Sequence, residues 1–334
     1  MRMPKLQLSA GLPSNPRTWP ILDGSVEIDG VDLIPSIVFP SELFWRQLRF
    51  GDFDISEMSF SSLIKTISQG DDRWVGLPIF MTRRFFHTEM ISRTDRGIET
   101  PADLKGKRVG VPEYQQTAAL WTRGALQHEF GVAPRDMQFW MERVPDHSHA
   151  GATDFIPPEG VIINQIPLEK NIGSMMVAGE LDAAVYYIWG KDNLIDRSQI
   201  NLLARDDMKS IFSDMHAEGV RYFRKTGIYP INHAMVIKRS LVEKHPWLPL
   251  NILKLFEKAN SLANTRRIQS VDYYYKAGLI DQSSMDGLRK PLVEYGVSAN
   301  RNTLETAAKY SFEQGLTKRL VSLDEVFAPS TMDQ

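Results

Sequence analysis

Residues 99–126, ETPADLKGKRVGVPEYQQTAALWTRGAL, read as a strand running into a helix. Residues 107–111 read as a short buried strand, Pro112 stops it, and Glu113-Tyr114-Gln115-Gln116-Thr117 opens a helix that continues from Ala118 toward Phe130. The first backbone N–H groups of a helix have no partner inside it and point at whatever lies in front. Together with the helix dipole they favour a carboxylate or phosphate there. The stretch is therefore built like a cradle for a small anion, although an α/β protein has several such junctions and most hold nothing.

The same grammar recurs twice. Gly51-Asp52-Phe53-Asp54-Ile55 follows a helix over 41–50, and Gly179-Glu180-Leu181-Asp182-Ala183 follows a helix around 171–178. Each glycine suits a helix C-cap and each second acid leads into an apolar strand. Two α/β lobes with a binding cleft between them follow from that repetition.

At 334 residues, 43% hydrophobic and 24% charged, the chain has room for two domains with a core each. Lys and Arg total 39 against 41 Asp and Glu, a formal charge of -2, so no broad electrostatic field favours nucleic acid or an anionic membrane. Cysteine is absent, which removes disulfides, thiolate metal sites and a cysteine nucleophile together. MRMPKLQLSAGL at the start alternates like a strand and lacks an apolar export core, and no uncharged apolar run reaches membrane-span length. A cytoplasmic location is the expectation.

Strand and helix alternate along the chain. Strands are expected at 6–10, 26–33 (with a turn), 53–58, 184–188 and 231–237, and helices at 41–50, 61–69, 249–263 and 303–312, with Asn302 as N-cap and Glu305 as its partner. Residues 144–160, VPDHSHAGATDFIPPEG, have no period and read as a long loop with a role.

The segments GDFDISEMSFSSL, MTRRFFHTEM, DLKGKRVGVPEYQQTAALWTRGALQHEFGV, GELDAAVYY and YPINHAMVIKRS together resemble the 4,5-dihydroxyphthalate decarboxylase family over about residues 7–240. The block GVPEY…TA…W.RG is the most specific of them, whereas DLKGKRVGV is shared with solute-binding proteins generally. The resemblance implies a two-lobed type 2 periplasmic-binding-protein-like α/β fold, with two crossing hinge strands and ligand in the cleft. It also implies cofactor-independent loss of carbon dioxide from a hydroxylated aromatic dicarboxylate. Lobe I would comprise 1–90 and 230–334, lobe II 91–229.

An aryl carboxylate cannot simply shed carbon dioxide, because the aryl anion left behind is far too basic. Protonating the ring carbon first, with a ring hydroxyl stabilising the cation, opens the route; it needs a general acid over that carbon and cations on the other carboxylate. His87 and His233 are the candidate acids, and Glu113 would bond a ring hydroxyl or orient a histidine. Arg84, beside Arg83 and ahead of a crossing strand expected at 88–92, is the candidate carboxylate clamp, since a guanidinium fork matches a carboxylate bidentately. Arg17, Ser59, Ser61, Gln116, Thr117 and His149 are further candidate substrate contacts, and Tyr114 and Tyr186 would flank the ring. Serines at a helix start are more often caps than ligands, and the tyrosines serve equally as half-buried packing.

Asp146-His147-Ser148-His149 matches no metal-ligand spacing, so no metal is expected. No G-x-S-x-G elbow, P-loop, Rossmann fingerprint or H-E-x-x-H occurs. The remaining rival is a non-catalytic solute-binding protein using the same cleft. The expected partner is a small aromatic carboxylate, with a homo-oligomer left open.

Overall fold

In a computed structural model, residues 5–191, 193–290 and 294–334 are described. They contain eleven strands: β1 Leu6–Leu12, β2 Val31–Ile37, β3 Ile55–Ser59, β4 Trp74–Leu77, β5 Ile91–Arg93, β6 Arg108–Val111, β7 Gln138–Met141, β8 Ile162–Gln165, β9 Ala183–Ala184, β10 Met208–Ser210 and β11 His233–Lys238. Two sheets result, one in the order β2-β1-β3-β11-β4 and the other β10-β5-β9-β6-β7-β8. Strands β1, β2 and β3 run parallel, as do β6 with β7, β8 and β9, and helices connect them, so each sheet is the body of an α/β lobe. The expected two-lobed α/β fold is the observed one.

Most expected elements form within a few residues of their places. The helix Pro40–Phe50 begins with proline at its first turn and ends on Gly51, whose left-handed φ of 66° suits glycine. Gln47 ties this helix to the next strand through both amide atoms, donating to Phe53 O at 2.9 Å and accepting from its N–H at 3.0 Å. The helix Thr117–Phe130 has its first ten residues buried, since it lies against the opposite lobe as well as its own sheet. Gly124 lets it approach the helix Arg301–Glu313, because a Cβ there would stand 2.1 Å from the Tyr310 ring.

Several expectations need correction; one is that the helix expected at 249–263 runs over Leu248–Lys276. The strand expected at 26–33 starts only at Val31 and continues to Ile37, carrying its side chains to the edge of the first sheet. The strand expected at 184–188 is just Ala183–Ala184, because Tyr186 takes a left-handed φ of 47° that no strand accommodates. The helix expected from 303 begins at Arg301 with Asn300 in the cap position, and Asn302 instead donates to Thr226 O at 3.3 Å.

The chain passes twice between the sheets, and the two passes pair. Arg83 bridges Ile231 in antiparallel sense, Asn232 N–H donates to Thr82 O at 3.0 Å and Arg84 N–H to Pro230 O at 3.3 Å. The crossing thus lies at 82–84, ahead of the expected 88–92. Phe86–Glu89 is a 3-10 turn instead, which lets Phe85 pack on Tyr229, 5.0 Å between centroids, while Phe86 is buried against Tyr186.

Candidate active site between the lobes

Strand β3 ends at Ser59 and leads straight into the helix Phe60–Ser68, and β6 leads through Pro112 into the helix Thr117–Phe130. The two helix N-termini meet across the lobes. Ser59 Oγ lies 2.8 Å from Thr117 Oγ1, Ser61 N–H donates to the same oxygen at 2.9 Å, and Ser61 Oγ donates to Gln115 O. The expected anion cradle at Gln116 and Thr117 is therefore closed by the other lobe's own serines. Gln116 is buried beside it with Oε1 lacking a hydrogen bond among the described residues.

Next to this seam lies a buried charge cluster. Arg143 follows β7 and is fixed by its N–H bond to Pro112 O at 3.0 Å. Four bonds hold its guanidinium: Nε donates to Asp196 Oδ1 at 2.6 Å, Nη2 to Asp196 Oδ2 at 3.0 Å and to Ser41 Oγ at 2.7 Å, and Nη1 to Glu113 Oε2 at 3.1 Å. Ser41 Oγ donates in turn to Asp196 at 2.9 Å, so the pair also fastens the helix Pro40–Phe50 of the first lobe. Burial works against the charge on both partners, but their mutual attraction wins: Asp196 is held below the ordinary carboxylate range and Arg143 above its own.

Glu113 has no spare oxygen. One accepts from Arg143, the other from Ala150 N–H, and His149 Nδ1 stands 3.8 Å away. His149 is buried in the short helix His149–Ala152, capped by Ser148, with Nδ1 also 3.4 Å from Ser62 Oγ. Its Nε2 is buried without a partner among the described residues. Burial, outweighing Glu113, pushes the imidazole down to about 4, so it is neutral at physiological pH. His147 points the other way, exposed and edge-on to Trp45 at 5.1 Å, so the two histidines of the loop do not converge.

On the first lobe, His233 at the start of β11 pairs in register with Ser59, and Glu57 is its diagonal neighbour on the same face of β3. His233 Nδ1 is 3.3 Å from Glu57 Oε1 but not in line for a hydrogen bond. Phe44 separates His233 from His149, with its ring edge-on to both at 4.5 and 5.7 Å. Close by, Arg83 is half-buried and pushed down to about 10, chiefly by desolvation and in part by the charge of Arg17. Arg17 is half-buried and has no acidic partner among the described residues. Tyr295 feels Arg17, Glu57 and Arg83 together.

Of the residues anticipated from sequence, the fold brings together His233, Glu113, Ser59, Ser61, Gln116, Thr117 and His149, with Arg17 at the edge. His87 is not among them: the 3-10 turn aims it at the helix Met215–Thr226, where Nε2 meets Glu218 at 3.0 Å and the ring packs on Tyr222. Tyr114 lies in the core of its lobe, under the Arg123 guanidinium at 3.7 Å and beside Phe139. Arg84 is exposed and paired with Glu89 at 3.3 Å. Tyr186 lies between that pair and the cluster, within electrostatic reach of Arg84, Glu89, Arg143 and Asp196, and its left-handed backbone is the kind of strain that gathers at functional sites. Sequence reading missed Ser41, Phe44, Glu57, Arg143 and Asp196. Only Glu57 left a signal, an acid amid the buried run ISEMS.

The two-lobed α/β body, with its two mixed sheets, has the periplasmic-binding-protein-like fold. The chain superposes on the aliphatic sulphonate binding protein SsuA of Escherichia coli with a TM-score of 0.55 at 16% identity, covering 99% of this chain and 100% of that one. It superposes on the desulfurization enzyme DSZB with a TM-score of 0.53 at 14% identity over 98% of each. The family model NMT1/THI5 like matches residues 72–187. A 4,5-dihydroxyphthalate decarboxylase of Comamonas testosteroni is 31% identical over 334 residues, 99% of either chain, and one of Pseudomonas putida is 40% identical over 186 residues, 55% of this chain and 71% of that protein. The chain belongs to the 4,5-dihydroxyphthalate decarboxylase family, a family of carboxy-lyases. No helix among the described residues is long and apolar enough to cross a membrane.

Proposed function

We propose that this protein removes one carboxyl group from a hydroxylated aromatic dicarboxylate, 4,5-dihydroxyphthalate or a close relative, by protonating the ring carbon before carbon dioxide leaves. The observation that carries this reading is His149: its Nδ1 side is backed by Glu113 and Ser62, and its Nε2 is buried and unpartnered at the seam. Such an imidazole has one free position at which to hold a proton for substrate. It is neutral when the site is empty, and a dicarboxylate entering a dry site would favour its protonated form and bring the proton needed. Glu113 and Arg143 position it, while Arg17, with Arg83 Nε and the Tyr295 hydroxyl, offers donors for the carboxylate that stays.

Because the cluster is buried, the lobes, taken as 1–90 with 230–334 and as 91–229, must part at the 82–84 and 230–232 crossing to admit substrate. The purified protein is expected to release carbon dioxide from 4,5-dihydroxyphthalate without added cofactor, measured by product chromatography and gas release. Tight binding without turnover would instead support a solute-binding protein, the reading that the SsuA-like fold favours.

A further inference from the structure

We infer that Glu57 is a catalytic residue: it receives the phenolic O–H para to the departing carboxyl group and takes that proton as the ring carbon is protonated. The inference rests on the decarboxylase reading above. Glu57 is 0% exposed, and neither of its carboxylate oxygens accepts a hydrogen bond from the described residues. A buried carboxylate left so is costly, and native interiors rarely keep one. Glu113, equally buried, has both oxygens filled by Arg143 and Ala150, so of these two glutamates it is Glu57 that lacks donors. His233 Nδ1, 3.3 Å away, is likewise without a hydrogen bond. The groups that face Glu57 are His233 and Tyr295, with Arg17 and Arg83 beyond. What is missing is a donor that is not already part of the protein, and a phenolic hydroxyl is one.

The chemistry needs a base in this role. In 4,5-dihydroxyphthalate each carboxyl group has a hydroxyl para to it. Protonating the ring carbon alone makes a cation, but if the para O–H bond breaks in the same event and its proton passes to Glu57, the intermediate is a neutral cyclohexadienone. The proton on carbon comes from the histidinium. The ring carbon–carboxylate bond then breaks, its electron pair restores the aromatic ring, and the phenolate regains its proton from Glu57. One proton is consumed, one carbon dioxide is released, and no oxidant or metal enters the balance.

Glu57→Gln keeps shape and volume but cannot take the proton. We expect kcat to fall by a factor on the order of 10²–10⁴ with KM little changed, the range for losing a general base. A second arm uses the wild-type protein and so does not depend on the variant folding. The hydroxylated diacid should bind at least about tenfold tighter than 4,5-dimethoxyphthalate or plain phthalate in competition, because only its hydroxyls can satisfy the buried carboxylate. A Glu57→Gln enzyme with wild-type kcat, or phthalate binding as tightly as its dihydroxy form, overturns the inference. If wild-type protein releases no carbon dioxide from any diacid, the decarboxylase reading falls instead, and the competition arm still decides whether Glu57 reads ring hydroxyls.

Discussion

Glu113 and Glu57 are both fully buried carboxylates beside a histidine, one on each lobe, yet their surroundings are opposite. Glu113 is held by a guanidinium and a backbone N–H, and its histidine turns a free nitrogen toward the seam. Glu57 has no donor at all among the described residues, and its histidine stands beside it unaligned. The contrast separates two uses of a buried acid. A satisfied carboxylate fixes the geometry of its neighbour, whereas an unsatisfied one stores a demand that only a ligand can meet. On the proposed reading, the second lobe would supply the proton donor and the first lobe a surface receptive to ring hydroxyls.

The sharpest way to break this division is to exchange histidines. His149→Asn should lower kcat by a factor on the order of 10²–10⁴ while KM changes little, as for the loss of a general acid. His87→Asn, buried far from the seam on Glu218 and Tyr222, should leave kcat near wild type and cost stability instead. Steady-state kinetics of both variants, with denaturant unfolding alongside, checks the pair. If His87→Asn lost the activity and His149→Asn kept it, the assignment of roles to the two lobes would be wrong.

The satisfied side of the comparison rests on Arg143. Arg143→Met removes the cation that Glu113 and Asp196 share and leaves two buried carboxylates uncompensated, a loss on the order of 3–5 kcal/mol by analogy with broken buried pairs. Urea unfolding measures it. Glu57→Gln should be neutral or stabilising in the same assay, since it removes a buried carboxylate that accepts no hydrogen bond among the described residues. Comparable losses in both variants would mean that Glu57 is satisfied after all.

The fold was legible in the sequence because its signals are local. Pro112 and Gly51 punctuate elements whatever surrounds them, and the junction from β6 into the helix Thr117–Phe130 formed within a residue of its reading. The site was legible only in part. Ser59, Ser61 and Thr117 were marked by sitting at helix starts, and they do meet, though each other rather than an anion. His87 misled because its neighbours Arg83 and Arg84 suggested a shared direction, whereas the 3-10 turn Phe86–Glu89, with Phe86 buried, aims it at Glu218 instead. Arg143 and Asp196 left no trace because their partnership spans 53 residues and depends on how two loops pack.

The buried imidazole of His149 also makes stability depend on pH. His149 is neutral in the folded protein, held down to about 4 by burial, whereas in the unfolded chain it titrates near its ordinary value of 6.5. Between those values the unfolded state binds the extra proton, so stability is fully present above pH 6.5 and is lost as pH falls toward 4. The span corresponds to at most about 3–4 kcal/mol, the product of the difference and the cost per pKa unit. His87 is also depressed by burial, against the pull of Glu218, and adds to the same limb. Unfolding free energy measured from pH 7 to pH 4.5 should therefore decline in wild type and decline less steeply in His149→Asn. Adding a tightly bound dicarboxylate should flatten the wild-type limb as well, because a ligand that favours the imidazolium raises the folded-state value. An acid limb unchanged in His149→Asn would show that this histidine is not held neutral, and with it would go the account of how substrate brings the proton in.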